Sequence, residues 1–291
     1  RALPGSDCLY VKLYAGAATV DQILRDVIAP IVDETRASGA WERWFFIRYG
    51  DPEWHLRLRF FGDPRRLADE VEPALWRAAD ALVADGRLWR AQQDTYHREL
   101  ERYGGPVGMR LCEELFCADS DAALAIVAAL EGDAGADARW RLVVRGIDML
   151  LDDLGFDLDG KHALLTGLRD GFGREFSVDV GFEKQLGDRF RRERAALETL
   201  LANPVAADHP LAPGVEILAA RSARSAPIAA ELVAAARGGR LTMPLPALAA
   251  SLVHMHANRL LRASARANEL VVYDLLARLY QGQRARKKRG R

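Results

Sequence analysis

Arg57 and Arg59 lie two residues apart in WHLRLRFF, residues 54–61. Trp54, Leu56, Leu58 and Phe60 alternate there with His55, Arg57 and Arg59. That period of two predicts a strand with both guanidiniums on one face, about 6.6 Å apart. Arginine grips carboxylates bidentately, so the pair suits a small ligand with two carboxylates, or one carboxylate and a negative transition state. The competing reading is a solvated face whose charges meet water or surface acids. Covering that face would be costly without anionic partners. Glu99 and Arg102 stand three apart in TYHRELERYGG, residues 95–105, a spacing that pairs on one helical turn. They form either a surface ion pair or a loop presenting Arg102, held by Glu99, to the cationic face. In SLVHMHANRLLR, residues 251–262, Ser251, His254, Asn258 and Arg262 recur at intervals of three, four and four. They make a polar stripe about 80° wide on an otherwise apolar helix. Such a stripe needs partners, in a cleft or in an internal hydrogen-bond network. His254 is the candidate for proton transfer near neutral pH; His256 falls on another face.

These residues need elements to hold them. CLYVKLYA, residues 8–15, alternates and reads as a first strand, with Tyr10, Lys12 and Tyr14 on one face. Residues 19–38 have helical periodicity. WERWFFIRYG, residues 41–50, is aromatic and β-prone, and Gly50-Asp51-Pro52 turns into the Arg57/Arg59 strand. A second helix is expected at about 65–85 and a fourth strand within 87–97. The order βαββαβ is the ferredoxin-like arrangement, in which the first and third strands are central neighbours. Lys12 then points the same way as Arg57 and Arg59. From residue 105 only helical signals occur: 106–117, 120–131, 137–154, 159–174, 181–202, 212–237, 245–262 and 266–281. Asp119-Ser120-Asp121 and Asp159 read as N-cap regions and Gly238-Gly239 as a stop. The expected class is α+β: a ferredoxin-like subdomain over 1–104, a helical subdomain over 105–283 covering the open sheet face, and a disordered basic tail over 284–291.

Composition narrows the function. The 291 residues hold 41 basic and 41 acidic side chains; of the bases, 36 are Arg and 5 are Lys. Six bases fall in residues 284–291, leaving 35 against 41 acids before them. A globally basic nucleic-acid binder is therefore not expected. An RNA-recognition sheet would suit Tyr10 and Tyr14, but its aromatic signature is absent. No apolar run reaches the ~18 residues of a membrane helix, and no signal peptide opens the chain, which points to the cytoplasm. The first residue is not Met, which leans towards an excised or numbered fragment of a fused protein, with a stand-alone split protein as the alternative. Cys8, Cys112 and Cys117 have no paired spacing and read as core residues; no metal ligand set is spaced credibly.

WFFIRYGDPEWHLRLRFFG, YHRELERYGGP with LCEELFCADS, and LVHMHANRLL, in that order, resemble the C-terminal glutamate-elimination domain of lanthipeptide dehydratases. The likeness runs from near residue 8 to near residue 281. It implies a lyase without a cofactor, acting on a ribosomal precursor peptide. A partner domain or protein, itself using glutamyl-tRNA, attaches glutamate to Ser or Thr. The elimination domain expels it, leaving dehydroalanine or dehydrobutyrine. The family's functional residues match Arg57, Arg59, Glu99, Arg102 and His254. His254 would move the α-proton, the arginines would hold the glutamyl carboxylates and the developing oxyanion, and Glu99 would orient Arg102. Lys12, Arg48, Ser251 and Asn258 are expected to line the substrate site. A homodimer is among the assemblies allowed. Two alternatives stay open: a sibling class using the same fold for the [4+2] cycloaddition that forms a pyridine ring, and a non-catalytic subunit that binds the precursor.

Overall fold

The computed structural model describes residues 1–130, 132–202, 204–262 and 265–289. Strand β1 (Cys8–Tyr14) leads into helices α1 (Ala17–Ile23) and α2 (Ala29–Ala37), joined by a wide helical turn at Leu24–Ile28. Strands β2 (Arg43–Tyr49) and β3 (His55–Phe61) follow, then α3 (Pro64–Arg66), a second wide turn at Leu67–Val71, α4 (Glu72–Ala84) and β4 (Arg90–Gln93). Every later element among the described residues is an α-helix: α5 (Gly105–Ala129), α6 (Gly132–Asp153), α7 (Leu158–Glu175), α8 (Val180–Leu200), α9 (Ala212–Arg237), α10 (Leu245–Leu260) and α11 (Ala265–Arg289).

The four strands form one antiparallel sheet in the order β2-β3-β1-β4. Its two faces follow from strand alternation. One carries Leu9, Val11, Leu13, Trp44, Phe46, Leu56, Leu58 and Phe60, all buried; Val20, Ile23, Ile28, Leu75 and Leu82 of the helices join the same core. The other carries Tyr10, Lys12, Tyr14, Phe45, His55, Arg57, Arg59 and Phe61. The register sets Lys12 opposite Arg57 and Tyr10 opposite Arg59. Helix α5 closes one end of this face, where Phe116 meets Phe45 edge-on at 5.3 Å and Glu113 takes Arg43 and Arg98.

Helices also seal the outer edge of β2. Phe46 donates its N–H to Ser120 Oγ at 3.2 Å, and Phe46 O accepts from Arg259 Nε at 3.1 Å. Asn258 clamps the next exposed position, accepting from Arg48 N at 3.0 Å and donating to Arg48 O at 2.8 Å. An open edge offers unpaired backbone groups to any other strand; here α5 and α10 consume them.

Four local expectations are corrected. The expected strand at 87–97 pairs in β4 only over Arg90–Gln93, with Tyr96 bridging separately to Ala2. The stretch Asp119-Ser120-Asp121 starts no helix; it lies inside the single 25-residue α5. Tertiary partners override its capping preference: Asp119 takes His256, Arg221 and Arg259, Ser120 takes the sheet edge, and Asp121 takes Arg36 and Trp44. The N-cap of α7 is Asp157, accepting from Gly160 N, where the sequence points to Asp159. The basic tail is also ordered through Arg289, because Arg284 bonds Asp159 and His162 and Arg286 bonds Glu198. Residues 290 and 291 lie outside the described residues. Cys8, Cys112 and Cys117 are free and buried, as expected.

Candidate active site

Arg59 is the centre of the cationic face. It is 5% exposed, and its guanidinium lies 4.4 Å from the Tyr10 ring centroid, 4.6 Å from Tyr96 and 5.3 Å from Phe45. Its Nε and Nη1 are buried without a hydrogen-bond partner. Burial in this box also raises the Tyr96 phenol well above its ordinary range. Aromatic faces attract a cation but accept none of its in-plane donors, so the fork of Arg59 stays unfilled.

Arg57 lies beside it, half-buried. Its Nε donates to His55 Nε2 at 2.9 Å, and its guanidinium sits 3.4 Å over the Tyr49 ring. The other nitrogen of His55 meets Glu53 O at 2.7 Å. A carbonyl only accepts, so Nδ1 carries the proton and the ring is neutral. Burial holds the His55 imidazole below its ordinary range, helped by Arg57 and opposed by the Glu53 carbonyl. Among the described residues neither Arg57 nor Arg59 has a carboxylate at ion-pair distance. Lys12 differs: it is paired with Asp94.

Glu99 and Arg102 pair at 3.3 Å on an exposed helical turn. The next residue anchors that turn. Tyr103 is buried edge-on against Phe116 at 5.2 Å, and Phe116 meets Phe45 of the Arg59 box. Burial pushes the Tyr103 phenol up to about 12. Gly104 and Gly105 have φ of 75° and 81°, a left-handed conformation that favours glycine. A side chain at Gly105 would come within 2.9 Å of Thr242. The Tyr-Gly-Gly break therefore seats the Glu99–Arg102 turn against the loop before α10.

Helix α10 divides its polar residues between two tasks. His254 is half-buried and its Nδ1 lies 2.7 Å from Glu269 Oε2 on α11. No hydrogen bond or ion pair joins His254 to Arg57, Arg59 or Arg102 among the described residues. Ser251 is half-buried one turn earlier. Asn258, expected at the substrate, spends its amide on the β2 edge. Arg48, also expected there, is turned to the opposite sheet face by strand alternation. It is buried against Asp21 at 2.6 Å and Arg259 O at 2.9 Å. Both side chains are held by protein partners.

Sequence reasoning missed the aromatic box, the orienting role of His55, Glu269, and a buried hub. In that hub Asp119 accepts from His256 Nδ1 at 2.6 Å and from Arg221 and Arg259 at 3.0 Å. Burial pushes the Asp119 carboxyl up, but His256, Arg259 and Arg221 hold it well below the ordinary carboxylate range. Burial holds the His256 imidazole down, with Arg221 and Arg259 adding to it and Asp119 opposing. The hub ties α5, α9 and α10 together behind the site. Tyr10 was legible, since it faces Arg59 in the register; the other partners lie far away in sequence. Among the described residues no group of His, Cys, Asp and Glu is arranged to hold a metal, and no helix is long and apolar enough to cross a membrane.

Comparison with known proteins follows the same span. The family profile described as lantibiotic biosynthesis dehydratase C-term matches residues 9–280. The chain is 35% identical over 118 residues to the subtilin biosynthesis protein SpaB of Bacillus subtilis. It is 32% identical over 119 residues to the nisin biosynthesis protein NisB of Lactococcus lactis subsp. lactis. Each match covers 40% of this chain and 11% of the relative. Among solved structures it is similar to the tRNA-dependent lantibiotic dehydratase MibB from Microbispora sp. 107891. That likeness has a TM-score of 0.73 at 24% identity, over 97% of this chain and 29% of that one. It is also similar to TbtD, the pyridine synthase from thiomuracin biosynthesis, with a TM-score of 0.70 at 15% identity over 95% and 98% of the two chains. At these identities the structural likeness speaks for the fold alone.

Proposed function

Since the chain belongs to the lantibiotic biosynthesis dehydratase C-terminal family, we propose that it carries out the elimination half of a dehydration. The substrate is a precursor peptide bearing a glutamyl ester on Ser or Thr. The α-proton of that residue leaves, the Cβ–O bond breaks, glutamate departs as its carboxylate, and dehydroalanine or dehydrobutyrine remains. His254 transfers the proton. Arg59 and Arg57 hold the carboxylate of the glutamyl group and the charge developing on the peptide carbonyl. Arg102, oriented by Glu99, closes the site, and Lys12 and Ser251 line it. The observation that carries the reading is Arg59: a buried guanidinium with unmet donors and, among the described residues, no carboxylate at ion-pair distance is matched by a carboxylate of the substrate.

The partners on this reading are the glutamylated peptide and the dehydratase domain or protein that glutamylates it, in the cytoplasm, with a homodimer as a possible assembly to test. We read residues 1–104 as the ferredoxin-like unit and 105–283 as the helical one, a division supported by the strand order and by the run of helices after Gly105.

The test is incubation with a glutamylated precursor peptide, followed by mass. The wild-type chain should release glutamate. His254→Ala and Arg102→Ala should keep their melting temperatures and leave the glutamylated peptide in place. Normal elimination by either variant overturns its assignment. The resemblance in fold to a pyridine synthase sets the second reading: ring closure with loss of the leader would favour it. Equal performance of His254→Ala and wild type would point to a non-catalytic, peptide-binding role.

A further inference from the structure

Glu269 is fully buried on α11. Its Oε2 lies 2.7 Å from His254 Nδ1 and accepts from the Tyr273 hydroxyl at 2.7 Å. Tyr273 is fully buried too, one helical turn further along α11, and its ring is held edge-on by Phe172 of α7 at 5.3 Å. Burial and the neighbouring Glu269 raise the Tyr273 phenol well above its ordinary range, so it stays a donor. Oε2 thus meets the Tyr273 hydroxyl and His254 Nδ1 together, a geometry that suits an Nδ1–H donor on the ring.

From this we infer that Glu269, locked by Tyr273, is the positioning residue for His254: it holds the ring with Nδ1 protonated and inward and Nε2 free to exchange the substrate's proton. The inference rests on the reading of His254 as the proton-transfer group. A carboxylate behind a histidine does two things. It keeps the working nitrogen unprotonated and aimed, and it stabilises the imidazolium formed when that nitrogen takes a proton. Here it comes from another helix, 15 residues away, and every atom of Glu269 is shielded from water. The interaction is therefore screened far less than a surface pair would be. Tyr273 adds rigidity, since the shared oxygen cannot swing toward another donor without abandoning both bonds.

The experiment uses the full 291-residue chain and a synthetic glutamylated peptide. Glu269→Gln keeps size and one acceptor but removes the charge. We expect kcat for glutamate release to fall about 10–100-fold with KM within about twofold. Tyr273→Phe removes only the hydroxyl; it should cost less and act on kcat as well. Long-range ¹⁵N spectra of histidine-labelled protein should report the Nδ1–H tautomer for His254 in wild type and altered ring-nitrogen shifts in Glu269→Gln. A merely structural Glu269 would lower the melting temperature and scale activity with folded fraction, leaving the His254 signature intact; that result overturns the assignment. Full activity of Glu269→Gln beside an inactive His254→Ala overturns the assignment alone. Full activity of His254→Ala overturns the reading beneath it.

Discussion

Arg59 has given up its water for three aromatic rings. Each cation–π contact is worth roughly 0.5–2 kcal/mol. Removing a cation from water costs several kcal/mol even after relaxation. The two terms are of one order, so the box makes the charge tolerable without satisfying the fork. Each unmet buried donor adds about 1–3 kcal/mol, and a carboxylate arriving in plane recovers that. Lysine would keep the charge and lose the planar pair of donors. Arg59→Lys is therefore expected to lower kcat/KM for glutamate release about 10–100-fold, on the order of 1.4–2.8 kcal/mol, at an unchanged melting temperature. Wild-type kinetics would refute the bidentate role. Arg57 and Arg59 were legible because a period of two names the face of every residue on a strand. Glu269 was not: it meets His254 across two helices, and no spacing rule connects them.

At the scale of elements, the β2 edge decides what α10 can do. Two of its side chains, Asn258 and Arg259, are committed to the backbone of Phe46 and Arg48. Asn258→Ala would strand one buried N–H and one buried C=O, at about 1–3 kcal/mol each. The midpoint of urea unfolding should fall to match a loss of about 2–6 kcal/mol; an unmoved midpoint would show that water replaces the amide. The stripe of Ser251, His254, Asn258 and Arg262 was legible as a face of one helix. What lies against each turn of that face was not, which is why Asn258 read as a substrate ligand. The strands β1 and β3 were legible through alternation. The unity of α5 was not, because Asp119-Ser120-Asp121 carries a local capping signal that partners more than 70 residues away override.

Across the whole molecule, acid works against the fold. His55, His162 and His256 are each held below the ordinary histidine range, in every case chiefly by burial. For each, the unfolded chain binds more protons than the folded one between the two values. Stability is thus full above about pH 6.5 and is lost as pH falls from there toward the folded values. Asp119, held well below the ordinary carboxylate range, adds a second loss below about pH 4. The melting temperature should be lower at pH 5 than at pH 7.5, and His256→Gln should flatten the slope. A flat profile in wild type, or an unchanged slope in the variant, would contradict the buried neutral ring. The hub is invisible in sequence because its four residues span positions 119 to 259.

One core runs without interruption from Leu9 and Phe46 in the sheet to Leu252 and Tyr273 in the helices, and the hydrogen bonds that finish β2 are donated and accepted by α5 and α10. A cut at residue 104 would therefore divide this core and strip the edge of β2. Severed there, the first piece would carry a raw strand edge and an uncovered aromatic face, a template for sticking to its own copies. Any shortened version of this chain must keep both sides of that cut.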